Sequence, residues 1–296
     1  MPSLPPGSRR EKLESYSKAV APVSWEETKI KSLDGTDLSL AVAQLRDLPR
    51  TNEINDERML RVIVYFQGNG ASLPPRTLML SNVLRSVASK NSHDEWIMVG
   101  LSYRGYWTSS GHAHQKGIEK DAEAVMDWVL SSYLSPHRNV DLILWGQSIG
   151  SGVAAFAAAR YTEKYCDDSA NWKAPPISRL ILETPFVSIK SMLAALYPDW
   201  WVPYRHLWPF LRSWWDSEEA LRKIASTKQS PKILMVIASR DEIVPPIQAD
   251  QLEQLCNDLQ LDLQRRNVLG ALHTQASSLE VGKNIIVEFL TSTNQR

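Results

Sequence analysis

The sequence predicts an α/β fold: a mostly parallel, doubly wound sheet led by an antiparallel hairpin. Three observations carry this. Short apolar runs at residues 62–66, 97–101, 142–145, 180–182 and 233–238 read as strands buried on both faces. Helical patterns fall between several of these runs, the rhythm of a parallel sheet with crossover helices. Ahead of them, residues 28–33 and 38–43 alternate around Asp34-Gly35, which reads as a hairpin.

Taken in order, residues 1–23 are polar and proline-bearing and are expected to form a loosely ordered arm. Residues 24–296 then make one domain, because α/β folds of this size often do. A charged loop covers residues 46–57. Ile118, Ala122, Val125 and Val129 stand at i, i+4, i+7 and i+11 and give one apolar helical stripe. Residues 154–159 are small or apolar on every side, as suits a central helix lying flat on a sheet. Residues 251–261 form another amphipathic candidate, with Leu252, Leu255 and Leu259 on one face. A weaker strand is expected near 267–269. Gly68-Asn69-Gly70 lacks the lysine and spacing of a phosphate-binding loop.

One region breaks the rhythm. Residues 197–215 hold five of the eleven tryptophans and three prolines, and Asp216 with Glu219 then resembles a capping box. The segment reads as an insertion, about residues 186–225, between two sheet strands. As a lid it would line a substrate pocket with Trp200, Trp201 and Trp208; otherwise its tryptophans pack on the core.

Composition excludes some functions. The 33 basic and 33 acidic residues cancel, so no footprint for nucleic acid or an anionic membrane is visible. Cys166 and Cys256 have no metal-like spacing and read as free thiols of a reducing compartment. Residues 1–10 lack the apolar core of a signal peptide, and no stretch approaches a transmembrane length. A cytoplasmic location is expected.

The chemistry is concentrated in Gly146-Gln147-Ser148-Ile149-Gly150, which follows an apolar run and precedes an alanine-rich stretch. A serine hydroxyl is a weak nucleophile, so a hydrolase must expose it, activate it and put it beside hydrogen-bond donors. A sharp strand-to-helix turn with Ser148 at its tip helps with all three. The chain order for such a site is nucleophile, acid, histidine. Of the six histidines only His273 lies beyond every candidate acid. His206 falls in the tryptophan-rich segment, and His112 with His114 lacks a third ligand, so no metal is expected. Asp241 is nearest the end of the strand at 233–238, with Glu242 as the alternate acid. The backbone N–H of Ile149, with that of Asn69 from the loop after residues 62–66, would hold an oxyanion.

These motifs resemble the abhydrolase-domain branch of the α/β-hydrolase superfamily. The likeness is to its lysophosphatidylserine-lipase-like and bud-emergence-type members, and next to its protein depalmitoylases. It is carried by Gln67-Gly68-Asn69-Gly70, Tyr103-Arg104-Gly105-Tyr106, Gly146-Gln147-Ser148-Ile149-Gly150, Glu183-Thr184-Pro185-Phe186, Trp215-Asp216-Ser217 and Asp241-Glu242-Ile243-Val244-Pro245. The resemblance implies an α/β-hydrolase fold with a triad of Ser148, Asp241 and His273, and selects Asp241 over Glu242. Two positions depart from the pattern. Gln67 stands where the family usually has histidine, and Trp107 where it often has glycine. Tyr106 and Trp107 are accordingly expected to line, and Trp107 to narrow, the substrate pocket. The expected activity is hydrolysis of a carboxylic ester or thioester of a small or lipid-like acyl molecule, without a cofactor. A peptidase on the same fold would need a site for a peptide terminus, and a non-catalytic scaffold would usually have lost a triad member.

Overall fold

The computed structural model describes residues 7–45, 58–135, 138–165, 174–196 and 214–292. The hairpin forms as β1 (Val23–Lys31) and β2 (Asp37–Leu45), antiparallel to each other. The remaining strands are β3 (Leu60–Phe66), β4 (Glu95–Ser102), β5 (Val140–Gln147), β6 (Ile177–Glu183), β7 (Lys232–Ala238) and β8 (Leu263–Val268). Among the described residues they make one sheet in the order β1-β2-β4-β3-β5-β6-β7-β8. β2 meets β4 antiparallel, and every pair from there to β8 is parallel.

The central strands read as apolar runs because both sheet faces are covered. Along β3, Val62, Val64 and Phe66 enter one core cluster while Ile63 and Tyr65 enter the other. The same alternation sorts Leu142 and Leu144 from Ile143 and Trp145 in β5. The first face is covered by α3 (Gln115–Tyr133), α4 (Ile149–Tyr165), α6 (Ser217–Ala225) and α7 (Pro246–Asp258). α2 (Thr77–Lys90) and α8 (Glu280–Thr291) cover the second. In α4, Ala154, Ala155, Ala157, Ala158 and Ala159 are all buried, so this helix lies close on the sheet and carries Ser148 at a fixed height. No helix among the described residues is long and apolar enough to cross a membrane.

The structure departs from the sequence expectations in three places. Residues 7–22 are not a loose arm: they carry 3-10 turns at Ser8–Arg10 and Leu13–Tyr16 and a helical turn, α1 (Ser17–Val20). Leu13 and Val20 are buried, and the Glu11 carbonyl accepts the Trp107 indole N–H at 2.8 Å. Arg9 adds a bond from its guanidinium to the Gly105 carbonyl at 2.6 Å, so apolar burial and polar contacts together dock the segment. α2 and α8 were not expected as helices, although each buries an apolar stripe; in α2, Leu80, Val83, Leu84 and Val87 stabilise the fold by roughly 1.5–3 kcal/mol each. β8 overlaps the run expected near 267–269 at Asn267 and Val268 but starts earlier, at Leu263, and Leu269 is left 82% exposed. In the insertion, α5 (Ile189–Leu196) and α6 flank residues 197–213, so Trp200, Trp201, Trp208 and His206 lie outside the described residues. Trp215 packs in the first core cluster. The expected cap is present: the Asp216 carboxylate accepts the Glu219 N–H at 2.9 Å and starts α6.

A charge cluster built on the buried Arg104 and Asp121 anchors the turn after β4. The Arg104 guanidinium donates to Asp121 of α3 at 2.7 Å and to Asp34 of the hairpin at 2.9 Å. The Ser32 hydroxyl donates to Asp121 as well, at 2.7 Å. The hydrogen bonds from Arg104 hold the Asp34 carboxyl well below the usual carboxylate range. Removing Asp121 leaves the buried Arg104 guanidinium with only the solvent-facing Asp34 as a carboxylate partner, so Asp121→Ala is expected to destabilise the protein by up to about 3–5 kcal/mol in urea denaturation. A loss below about 1 kcal/mol would show that the cluster relaxes into water and does not anchor the turn.

Candidate active site

β5 ends at Gln147 and α4 begins at Ile149, so Ser148 alone makes the turn between strand and helix. Its φ of 54° is left-handed, a conformation that costs a non-glycine residue roughly 1–3 kcal/mol. The turn is held by the Ser148 N–H, which donates to the Glu183 carbonyl at 2.8 Å. The Ser151 N–H and hydroxyl donate to the Ser148 carbonyl at 2.8 and 2.6 Å. Both flanking glycines are required for space. A Cβ on Gly146 would stand 2.0 Å from the Gly150 oxygen, and one on Gly150 would stand 2.1 Å from the Phe66 oxygen.

His273 follows β8 in a turn and is buried. Its Nε2 lies 2.8 Å from Ser148 Oγ. Its Nδ1 lies 2.8 and 3.0 Å from the two carboxylate oxygens of Asp241, in the loop just after β7. The structure thus brings Ser148, His273 and Asp241 into one hydrogen-bonded line. Burial pushes the Asp241 pKa up, but the hydrogen bond from His273 and the N–H groups of Val244 and Ile243 outweigh it and hold the carboxyl below its ordinary value. The aspartate is therefore ionised at neutral pH, and its single acceptor-rich group faces the Nδ1 side of the ring. That arrangement favours the tautomer with a proton on Nδ1 and an open lone pair on Nε2 toward the serine.

Glu242, the alternate acid, does not reach the ring. Its carboxylate accepts the backbone N–H of His273 at 2.9 Å and so fixes the histidine loop. Gly68 packs against the serine turn: a Cβ there would lie 3.5 Å from Ser148 Cβ. The neighbouring Asn69 side chain accepts the Tyr106 hydroxyl at 2.7 Å. Burial pushes the Tyr106 phenol up to about 12, so it stays a donor at any physiological pH. Ile149 opens α4, where N–H groups have no intrahelical partner and the helix contributes partial positive charge.

Trp107 is corrected by the structure. Its indole is buried in the second core cluster and bonded to the Glu11 carbonyl, so among the described residues it packs under the N-terminal segment. His114 caps α3, its Nδ1 accepting the Gly117 N–H at 3.0 Å. Cys256 is buried, which pushes its thiol up to about 12, and Cys166 lies outside the described residues. Sequence reading missed the polar groups behind the serine, Arg76 and Glu183, and the part played by Gln147. A buried glutamate at a strand end three residues before Phe186 entered the resemblance as part of a motif, but nothing in the sequence placed it behind the serine. Its adjacency to Gln147 emerges only from the β5–β6 register, where the two residues pair.

No protein-family model matches the chain. Protein bem46 of Schizosaccharomyces pombe is 29% identical over 194 residues, which are 66% of this chain and 56% of that protein. Lysophosphatidylserine lipase ABHD12 of Xenopus tropicalis is 32% identical over 133 residues, 44% of this chain and 29% of that one. The matches therefore span about half the length of these relatives or less. Among solved structures, an α/β hydrolase from Vibrio vulnificus superposes with a TM-score of 0.63 at 16% identity, covering 96% of this chain and 86% of its own. A Pyrobaculum calidifontis esterase gives 0.59 at 17% identity, covering 95% and 88%. A parallel sheet led by an antiparallel pair, with a serine on the turn after its fifth strand, is the α/β-hydrolase fold, and the chain is similar in sequence to α/β-hydrolase domain proteins of the bem46 and ABHD12 kind.

Proposed function

We propose that this protein is a serine hydrolase that cleaves a carboxylic ester or thioester of a lipid-like or acylated molecule through an acyl-enzyme. The observation that carries the reading is the unbroken line from Ser148 Oγ through His273 to the ionised Asp241 carboxylate. Ser148 Oγ attacks the acyl carbon while its proton moves to His273 Nε2. Asp241 orients the ring and stabilises the imidazolium. The carbonyl oxygen, now an oxyanion, accepts from the N–H groups of Asn69 and Ile149. The tetrahedral adduct collapses, the leaving alcohol or thiol takes the proton from His273, and an acyl ester remains on Ser148. Water then gives a proton to His273 and attacks the ester, and the acid leaves as Ser148 regains its proton. Every transfer uses side chains of this chain, so the reaction as written calls on no cofactor.

The likeness to an esterase and to a lysophosphatidylserine lipase supports ester chemistry. A small-molecule or lipid-like substrate, no nucleic-acid partner and a cytoplasmic location belong to the same proposal. The test is a panel of p-nitrophenyl esters of rising acyl length, acyl-CoA thioesters and lysophospholipids, run on the wild type and Ser148→Ala in parallel. We expect turnover on at least one class that depends on Ser148. Wild-type rates equal to those of the variant on all three classes would end the proposal.

A further inference from the structure

A second polar line runs behind the serine, on groups that the proton transfers leave unused. Glu183 closes β6 and is fully buried, and its carboxylate accepts three donors at 3.0 Å each. These are the Trp145 indole N–H, the Gln147 amide N–H and the Ser277 backbone N–H. The Gln147 side chain turns its NH2 group toward the Glu183 carboxylate and its oxygen the other way, toward a donor. That oxygen accepts from Arg76 Nη1, and the Tyr65 hydroxyl lies 3.4 Å from it. Arg76 stands at the start of α2, and its other terminal nitrogen, Nη2, is 3.1 Å from the Gly70 oxygen and 3.5 Å from the Gly68 oxygen. The line therefore joins four pieces of chain: the loop after β3, the residue before the nucleophile, the end of β6 and the loop beyond His273.

We propose that Arg76, held by Gln147 and Glu183, is a positioning residue that sets the oxyanion hole relative to Ser148; this rests on the serine-hydrolase reading above. The argument is geometric. In a planar trans peptide the C=O of one residue and the N–H of the next point in opposite directions. Drawing the Gly68 oxygen toward the guanidinium therefore fixes the direction of the Asn69 N–H, the donor assigned to the oxyanion. Gly70, whose oxygen makes the shorter bond, pins the other end of the same turn. Gly68 and Gly70 exert little steric preference of their own, so an external clamp is what can give the loop one orientation. The charge placement fits as well. The guanidinium and the buried carboxylate stand at opposite ends of the Gln147 amide, which accepts from the one and donates to the other. Because Gln147 is bonded to both partners and joined to Ser148, loop and nucleophile share one frame. Hydrogen-bond donors for a developing oxyanion act through such preorganisation, since no reorganisation is then needed as charge develops.

The test compares Arg76→Met, which keeps the apolar stem, and Arg76→Lys, which keeps the charge but loses the fork. Each is measured for kcat and KM on a p-nitrophenyl ester, for melting temperature, and for inhibition by an alkyl trifluoromethyl ketone. That ketone accepts Ser148 Oγ at its carbonyl carbon, passes the serine proton to His273 and leaves its oxygen as an anion in the hole. Losing a hole donor outright costs about 10²–10³ in kcat, so a donor left unclamped should cost about ten- to a hundred-fold. We expect Arg76→Met to lose this through kcat, with KM within about threefold, and its Ki for the ketone to rise in step with the fall in kcat/KM. Arg76→Lys should fall between it and the wild type, and carries the same comparison if the methionine variant does not fold. A kcat within twofold of wild type, or a loss of turnover with unchanged ketone affinity, would overturn the positioning role. A wild type without Ser148-dependent turnover would instead remove the serine-hydrolase reading, and this inference with it.

Discussion

Ser148→Ala is expected to abolish ester hydrolysis, with kcat falling by on the order of a million-fold. The size of the effect follows from what the residue does. Once Oγ is gone no covalent intermediate can form, and only binding and the hole N–H groups remain to speed attack by water. The fold should survive the change. The bonds that hold the turn, from the Ser148 N–H to Glu183 and from the Ser151 N–H and hydroxyl to the Ser148 carbonyl, use no side-chain atom of Ser148. Melting temperature and kcat on the best substrate of the ester panel check both halves of this expectation. A variant that keeps more than about a hundredth of wild-type kcat would show that another nucleophile operates.

Asp241→Asn is expected to cost about 10⁴-fold in kcat, and Glu242→Gln close to nothing. The structure gives the reason atom by atom. Asp241 Oδ1 already accepts the N–H groups of Ile243 and Val244 at 2.9 and 2.7 Å. In the asparagine variant the amide oxygen keeps those bonds, so the NH2 group must take the place of Oδ2 and face His273 Nδ1. A donor there forces Nδ1 to accept, which moves the ring proton to Nε2 and points it at Ser148 Oγ. That tautomer cannot take the serine proton. Glu242→Gln retains an oxygen to accept the His273 backbone N–H, so the loop stays in place. Kinetics on folded variants decide the matter: a larger loss for Glu242→Gln than for Asp241→Asn would reassign the acid. The pH dependence has a definite sign. The folded Asp241 pKa lies below its ordinary value of 3.8. Its contribution to stability is present above that ordinary value and is lost as pH falls through the lower folded one. The stability deficit of Asp241→Asn should therefore shrink toward acid pH.

How much of this was legible in the sequence depends on how local each signal is. β3, β5 and β7 were readable because central parallel strands are buried on both faces and must be apolar throughout. β8 was placed too late because its sequence, Leu-Gln-Arg-Arg-Asn-Val, belongs to a sheet edge where polar side chains reach water. α6 was announced by its Asp216 cap. α2 and α8 begin without any side-chain cap, and α2 follows Pro74 and Pro75, which read as loop. Ser148 and His273 could be singled out because each follows a strand pattern, whereas that pattern left Asp241 and Glu242 both open and the resemblance chose between them. Trp107 was misjudged because sequence gives residue type but not the partner, here the Glu11 carbonyl of a segment read as loose. The Arg76–Gln147–Glu183 line was invisible for a related reason: its members come from three separate segments and meet only through strand register and the turn before α2.

The central claim, that Ser148 is an activated nucleophile, is tested most directly by covalent labelling. The purified protein is treated with a fluorophosphonate, and the adduct is counted by intact mass and located by tandem mass spectrometry of its peptides. The account predicts one adduct per chain, on Ser148, formed much more slowly in Asp241→Asn and absent from Ser148→Ala. An adduct on a different serine, or labelling of Ser148→Ala at the wild-type rate, would contradict it.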